Sequence, residues 1–212
     1  MQWIVLIVDD HPLIGEAFEL SVRAAYPHLD VGRVTSAAEA EAYAKAHGPR
    51  IKLVLLDLML PDVTGFSGLL MLQQLLPDRP IAIVSGRFDT HVVALAKTFG
   101  AAAYLNKGAP VSDLVNAVGV ILRGETVDLP GDPAPVPAAA DFHKRVATLS
   151  AGQLRVLNAL ADGRLNKQIA ADMNLTEGTV KQHMSAIFKK LGVNNRSQAI
   201  LAAGPYLHPL KN

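Results

Sequence analysis

The chain has 212 residues, of which 50% are hydrophobic and 18% charged, with a formal net charge of +1. That apolar share supports packed cores and excludes wholesale disorder. With no cysteine, disulfides, thiolate metal sites and thiol nucleophiles are excluded; no apolar run approaches the ~18 residues of a membrane span, and the N-terminus lacks the basic head of a signal peptide.

The first half alternates strand-like and helix-like stretches. Trp3 to Val8 is a continuous apolar run, as expected of a strand buried on both faces. A helix is predicted over 11–25, a strand over 29–34, and a helix from the capping box Ser36-Ala-Ala-Glu39 to His47. Ile51 to Leu56 reads as a strand, 65–76 as a helix, 81–84 as a strand, and 89–99 as a helix capped by Asp89. Ala101 to Leu105 is a strand, and Pro110 opens a helix to Leu122. Five such βα units imply an α/β doubly wound, five-stranded parallel sheet of flavodoxin-like type, with sites at the carboxyl ends of its strands.

Four prolines between Pro130 and Pro137 break this pattern and favour extended backbone. The chain therefore divides into a first domain over 1–125, a linker over 126–142 and a second domain over 143–212. The second domain reads as all helix. Capping box Ser150-Ala-Gly-Gln153 opens one helix, a second runs 166–173, a third starts at Thr176 and stops near Gly192, and a fourth, capped by Asn195, ends near Gly204-Pro205. The charge divides with the domains. Residues 1–127 carry 10 basic and 13 acidic side chains, 128–140 none and two, and 141–212 10 and four. Only the second domain, at +6, suits a polyanion.

Asp9 and Asp10 follow the first strand and Asp57 follows the third. In a sheet of order 2-1-3-4-5 these strands are neighbours, so three carboxylates converge and require a proton or a cation between them. Oxygen-only ligands with no histidine or cysteine nearby suit a hard ion, Mg²⁺ above all, and the seven histidines show no clustered spacing for a transition-metal site. Ser85 ends the fourth strand and Lys107 follows the fifth, adding a hydroxyl and an ammonium around an anion such as a phosphoryl group.

Val8-Asp9-Asp10, Leu56-Asp57-Leu58-Met59-Leu60-Pro61 with Gly65, Val84-Ser85-Gly86 and Tyr104-Leu105-Asn106-Lys107 resemble the signature of bacterial response-regulator receiver domains. The resemblance implies that Asp57 is the phosphoacceptor. It implies that Asp9, Asp10, Asp57 and the Met59 carbonyl hold Mg²⁺, that Ser85 and Lys107 bind the phosphoryl group, and that Tyr104 is a rotamer switch.

On the helix after Thr176, Val180, Met184, Ile187 and Leu191 form an inward stripe, with Gln182, Ser185 and Lys189 opposite and Lys181 on the flank. Such amide, hydroxyl and ammonium groups suit base edges and phosphates. Asn166-Lys167-Gln168-Ile169-Ala170, then Thr179-Val180-Lys181-Gln182-His183, then Lys190-Leu191-Gly192-Val193-Asn194-Asn195-Arg196 resembles the LuxR-type helix-turn-helix. That resemblance places Lys181, Gln182 and Ser185 in the major groove and Thr179 and Lys189 on phosphates. Gly152-Gln153 departs from the family's usual Arg-Glu. Gln153 still closes a capping box there, while a salt bridge from glutamate is lost.

The two resemblances together are those of the NarL/FixJ class. They imply a cytoplasmic two-component regulator that a histidine kinase phosphorylates and that binds double-stranded DNA as a homodimer. A phosphorylation-independent regulator that keeps the receiver for docking or dimerisation is the alternative. A Mg²⁺-dependent phosphatase is disfavoured, because Met59 stands where such an enzyme needs a second carboxylate; only slow self-dephosphorylation is expected, with Met59 and Arg87 flanking the water.

Overall fold

The computed structural model describes residues 2–127 and 133–207. Five strands, β1 (Trp3–Val8), β2 (Leu29–Val34), β3 (Ile51–Leu56), β4 (Ile81–Ser85) and β5 (Ala103–Asn106), alternate with α1 (Pro12–Ala25), α2 (Ala37–His47), α3 (Ser67–Leu75), α4 (Thr90–Thr98) and α5 (Val111–Leu122). The sheet is parallel in the order β2-β1-β3-β4-β5. The apolar runs explain this order. Central strands are covered on both faces, so successive residues serve opposite cores. Ile4, Leu6 and Val8 pack toward α2, α3 and α4, whereas Val5 and Ile7 pack toward α1 and α5.

The second domain contains α6 (Pro137–Val146), α7 (Ala151–Ala161), α8 (Asn166–Asp172), α9 (Glu177–Leu191) and α10 (Arg196–Leu207). Its caps are those expected: Ser150 and Gln153 form a capping box, Thr176 accepts from the Thr179 amide at 3.1 Å, and Asn195 accepts from the Gln198 amide at 2.9 Å. Gly192 ends α9 at φ 69°, the left-handed conformation that glycine adopts without strain.

Two boundaries differ from the sequence reading. The stretch read as linker, 126–142, includes the start of α6 at Pro137; residues 128–132 lie outside the described residues. A proline at the first helical position gives up an amide that has no helical partner anyway, and Ala138–Ala140 then propagate the helix. At the other end, α10 passes through Pro205 to Leu207. Pro205 falls in the last turn, and the carbonyl it leaves without a helical donor belongs to Leu201, which is 75% exposed and open to water.

The two domains share one apolar core. Phe99, at the end of α4 and 0% exposed, is its hub. Its ring lies 5.0 Å from Phe66, 5.3 Å from His143, 5.8 Å from Tyr206 and 6.5 Å from Phe142, centroid to centroid. Tilted and edge-to-face arrangements of this kind add to the burial of the rings. Hydrogen bonds surround them: Ser67 Oγ donates to Asn158 Oδ1 at 3.1 Å, Gln74 Nε2 to the Leu149 carbonyl at 3.0 Å, and the Val136 amide to Thr98 Oγ1 at 2.9 Å.

Phe99→Ala is expected to cost about 3–5 kcal/mol, read as a lower urea midpoint, and to free the second domain for proteolysis at 126–136. The domain contact is expected to weaken in acid. Burial lowers the pKa of His143, which lies 3.3 Å from Gln73 Oε1. The docked state therefore binds fewer protons than the unfolded chain as pH falls through the ordinary histidine range near 6.5, and stability falls with it. Between pH 7 and 5.5 the thermal midpoint of the wild type is expected to drop more steeply than that of His143→Gln.

Candidate functional site

The sheet order brings the first and third strands together, and the backbone ladder continues past their ends. The Asp57 amide donates to the Val8 carbonyl at 2.9 Å, the Asp9 amide to the Val34 carbonyl at 3.0 Å, and the Lys107 amide to the Ser85 carbonyl at 2.9 Å. Three strand ends thus deliver their side chains to one point. Lys107 Nζ lies 2.6 Å from Asp57 Oδ2 and 2.7 Å from Asp9 Oδ2, with side-chain exposures of 7%, 1% and 6% for Lys107, Asp57 and Asp9. One ammonium holds two buried carboxylates that would otherwise repel each other. Asp57 Oδ1 accepts from the Met59 amide at 3.0 Å, while the Met59 side chain stands half exposed at the mouth.

Asp10 joins the group from the next position, and its buried Oδ1 has no hydrogen-bond partner among the described residues. The oxygen set of Asp9, Asp10 and Asp57, with ligand atoms within 4.8 Å of one another, fits a hard divalent cation. His11 is also here, against the expectation that no histidine lies near these aspartates. It is the N-cap residue of α1, and its Nδ1 lies 2.9 Å from Asp10 Oδ1 and 3.2 Å from Asp9 Oδ1. Its place directly after Asp10 was the available signal.

Ser85 and Tyr104 are fully buried beside this pocket. Neither touches Asp57 in the way Lys107 does; both grip the loop that follows β4. Ser85 Oγ accepts from the Arg87 amide at 3.2 Å, and the Tyr104 hydroxyl donates to the Arg87 carbonyl at 2.6 Å. Burial pushes the Tyr104 pKa up, against the pull of the Ser85 hydroxyl, so it stays a neutral donor. Asp62, also unread in the sequence, accepts from the Ala37 and Ala38 amides at 2.9 and 2.8 Å and thereby caps α2.

On α9, Val180, Ile187 and Leu191 are buried and Met184 is half-buried, while Lys181, Gln182, Ser185 and Lys189 are exposed. Thr179 is half-buried, with Oγ1 2.9 Å from Thr176 Oγ1. Several basic residues serve the fold. Arg145 donates to the Leu191 carbonyl at 2.7 Å, Arg196 to the Arg164 carbonyl at 2.6 Å, and Lys190 to the Thr148 carbonyl at 2.6 Å and Gln153 Oε1 at 2.8 Å. Gln153 thus keeps a link to α9 without a salt bridge. His183 packs over Gly152, where an added Cβ would stand 3.6 Å from its ring.

Residues 5–119 match the model of the response regulator receiver domain, and residues 147–203 that of bacterial regulatory proteins of the luxR family. The chain is also 36% identical over 210 residues to the glycerol metabolism activator of Pseudomonas putida, covering 94% of each chain. The chain belongs to the response-regulator family. This response regulator carries a receiver and a LuxR-type DNA-binding domain, as in the NarL/FixJ class. It is 31% identical over 205 residues to the response regulator VraR of Staphylococcus aureus, covering 94% of this chain and 95% of VraR. Its fold is similar to that of RcsB in a solved DNA complex, at a TM-score of 0.54 and 18% identity, covering 95% of this chain and 98% of that one. No described helix is long and apolar enough to cross a membrane.

Removal of Lys107 leaves two buried carboxylates facing each other. Lys107→Ala is expected to lose about 3–5 kcal/mol at neutral pH, measured by urea unfolding.

Proposed function

We propose that phosphorylation of Asp57 by a histidine kinase controls sequence-specific binding of α9 to double-stranded DNA. The observation that carries this reading is the buried Asp57 carboxylate within 2.6 Å of Lys107 Nζ, beside the open oxygen of Asp10. An Asp57 oxygen attacks the phosphorus of the kinase's phosphohistidine, an oxygen–phosphorus bond forms as the phosphorus–nitrogen bond breaks, and the imidazole leaves. Asp9, Asp10, Asp57 and the Met59 carbonyl would hold Mg²⁺, which when bound supplies positive charge against the transferred oxygens. Lys107 then turns from the Asp57 carboxylate to the phosphoryl group, and the Ser85 hydroxyl turns from the Arg87 amide to the same group.

Those moves loosen the loop over 86–89. Tyr104 holds that loop by the Arg87 carbonyl, and Asp89 ties it to α4 by accepting from the His91 and Val92 amides at 2.8 and 3.2 Å. The far end of α4 is Phe99, in the core shared by both domains. Phosphorylation thereby shifts a population from docked to released second domain. Released domains pair as a homodimer on half-sites about 34 Å apart. Lys181, Gln182 and Ser185 read the major groove, and Thr179 and Lys189 position the backbone. Met59 and Arg87 flank the water that slowly hydrolyses the phosphoaspartate. The relative from Pseudomonas putida makes promoters of glycerol-metabolism genes the first operators to test.

Beryllofluoride, a mimic of the acyl phosphate, is expected to raise operator affinity at least 10-fold and to promote dimers in the wild type, but not in Asp57→Asn. Equal affinity and oligomeric state in all four samples would instead support a receiver that docks without phosphorylation. For the DNA face, Gln182→Ala is expected to cost about 1–3 kcal/mol on the operator and to relax its specificity. Lys189→Ala is expected to weaken all sequences alike and to lower the salt slope by about one, both read by anisotropy at several salt concentrations.

A further inference from the structure

We propose that His11 is an additional metal ligand, making the receiver pocket a site for divalent ions that accept imidazole nitrogen, such as Zn²⁺ and Ni²⁺, as well as for Mg²⁺. This rests on reading the pocket as a cation site and concerns which cations it prefers.

The argument begins with spacing. Atoms bound about 2.0–2.2 Å from one metal stand about 2.9–3.5 Å apart around it. His11 Nδ1 lies 2.9 Å from Asp10 Oδ1, 3.2 Å from Asp9 Oδ1 and 3.7 Å from Asp57 Oδ2. The Asp10 and Asp9 distances are edge lengths of a coordination shell, and the Asp57 oxygen lies just beyond, with all four ligand atoms within 4.8 Å of one another. The shortest of these contacts is also not a hydrogen bond. Asp10 Oδ1 is buried and has no aligned donor, although His11 Nδ1 is its near neighbour. His11 Nδ1 makes its hydrogen bond to Asp9 Oδ1 instead, at 3.2 Å, which leaves the Asp10 oxygen beside it open to a cation. Local structure fixes the backbone that carries the ring: the His11 amide donates to Asp9 Oδ1 at 2.9 Å and Pro12 opens α1.

A nitrogen donor changes which ion wins. Mg²⁺ prefers oxygen and keeps its waters, whereas imidazole suits zinc, nickel and copper. An ion held by His11 as well as by the three aspartates uses more of its shell on the protein and leaves fewer positions for a phosphoryl oxygen. It also shares Asp57 with Lys107, whose Nζ stands 3.5 Å from His11 Nδ1.

The test is calorimetric titration of the full chain with ZnCl₂, NiCl₂ and MgCl₂, using wild type, His11→Asn and Asp10→Asn. Zinc binding is followed in parallel by NMR of the histidine ring nitrogens. Asparagine is chosen because it is a favourable N-cap residue and preserves the start of α1. The wild type is expected to bind one Zn²⁺ at this site at least 10-fold more tightly than His11→Asn, with Mg²⁺ affinity changed less than 3-fold and the His11 ring signal shifted by zinc. Equal zinc affinity in the two proteins, an unmoved His11 signal, or an equal loss for Mg²⁺ and Zn²⁺ would overturn the inference. If no cation binds even the wild type, and Asp10→Asn changes nothing, the cation-site reading itself fails.

Discussion

One ammonium group between two buried carboxylates is the constraint on which the receiver depends. Asp57 and Asp9 end adjacent parallel strands, and the sheet leaves their side chains no freedom to separate. Lys107 relieves the repulsion, but it comes from β5, at the far edge of the sheet. The repulsion in the pocket is thus relieved only when β1, β3 and β5 are all in register. This makes the site a product of the whole sheet and not of any single loop. It also leaves the ammonium with two partners of similar distance, so added negative charge at either one redistributes it.

The second domain is held from the opposite end of the same machinery. The loop after β4 is gripped by Ser85 and Tyr104, and α4 runs from that loop to the Phe99 ring cluster. A nine-residue helix capped by Asp89 is thus the link between the loop and the ring cluster. This contact is mostly apolar, with a few hydrogen bonds at its edge. A packed cluster of that kind has few intermediate arrangements, because interdigitated rings either fit or separate.

Much of this was legible in the sequence, and what was not has physical causes. The site aspartates could be read because each ends an apolar strand, and strand order then dictates which ends meet. The helix stripe of Val180, Ile187 and Leu191 could be read because 3.6-residue spacing is local. Helix α6 was hidden because Pro137 carries the same letter whether it ends extended backbone or begins a helix. The ring cluster was hidden because Phe66, Phe99, Phe142 and Tyr206 come from four separate elements, and no periodicity links them. His11 was beside the aspartates in plain view; its role depends on where α1 starts, and only the backbone shows that. The basic count of the second domain overstated its free charge, since Arg145, Lys190 and Arg196 bond to backbone carbonyls.

Docking packs the half-buried Tyr206 of α10 against Phe99 of the receiver, while α9 packs chiefly on α6, α7, α8 and α10. The side of α9 that carries Lys181, Gln182, Ser185 and Lys189 is therefore exposed in the docked chain. A receiver placed there does not act as a lid over the basic surface. Under the function proposed above, release therefore acts through pairing of the second domains and not through uncovering α9.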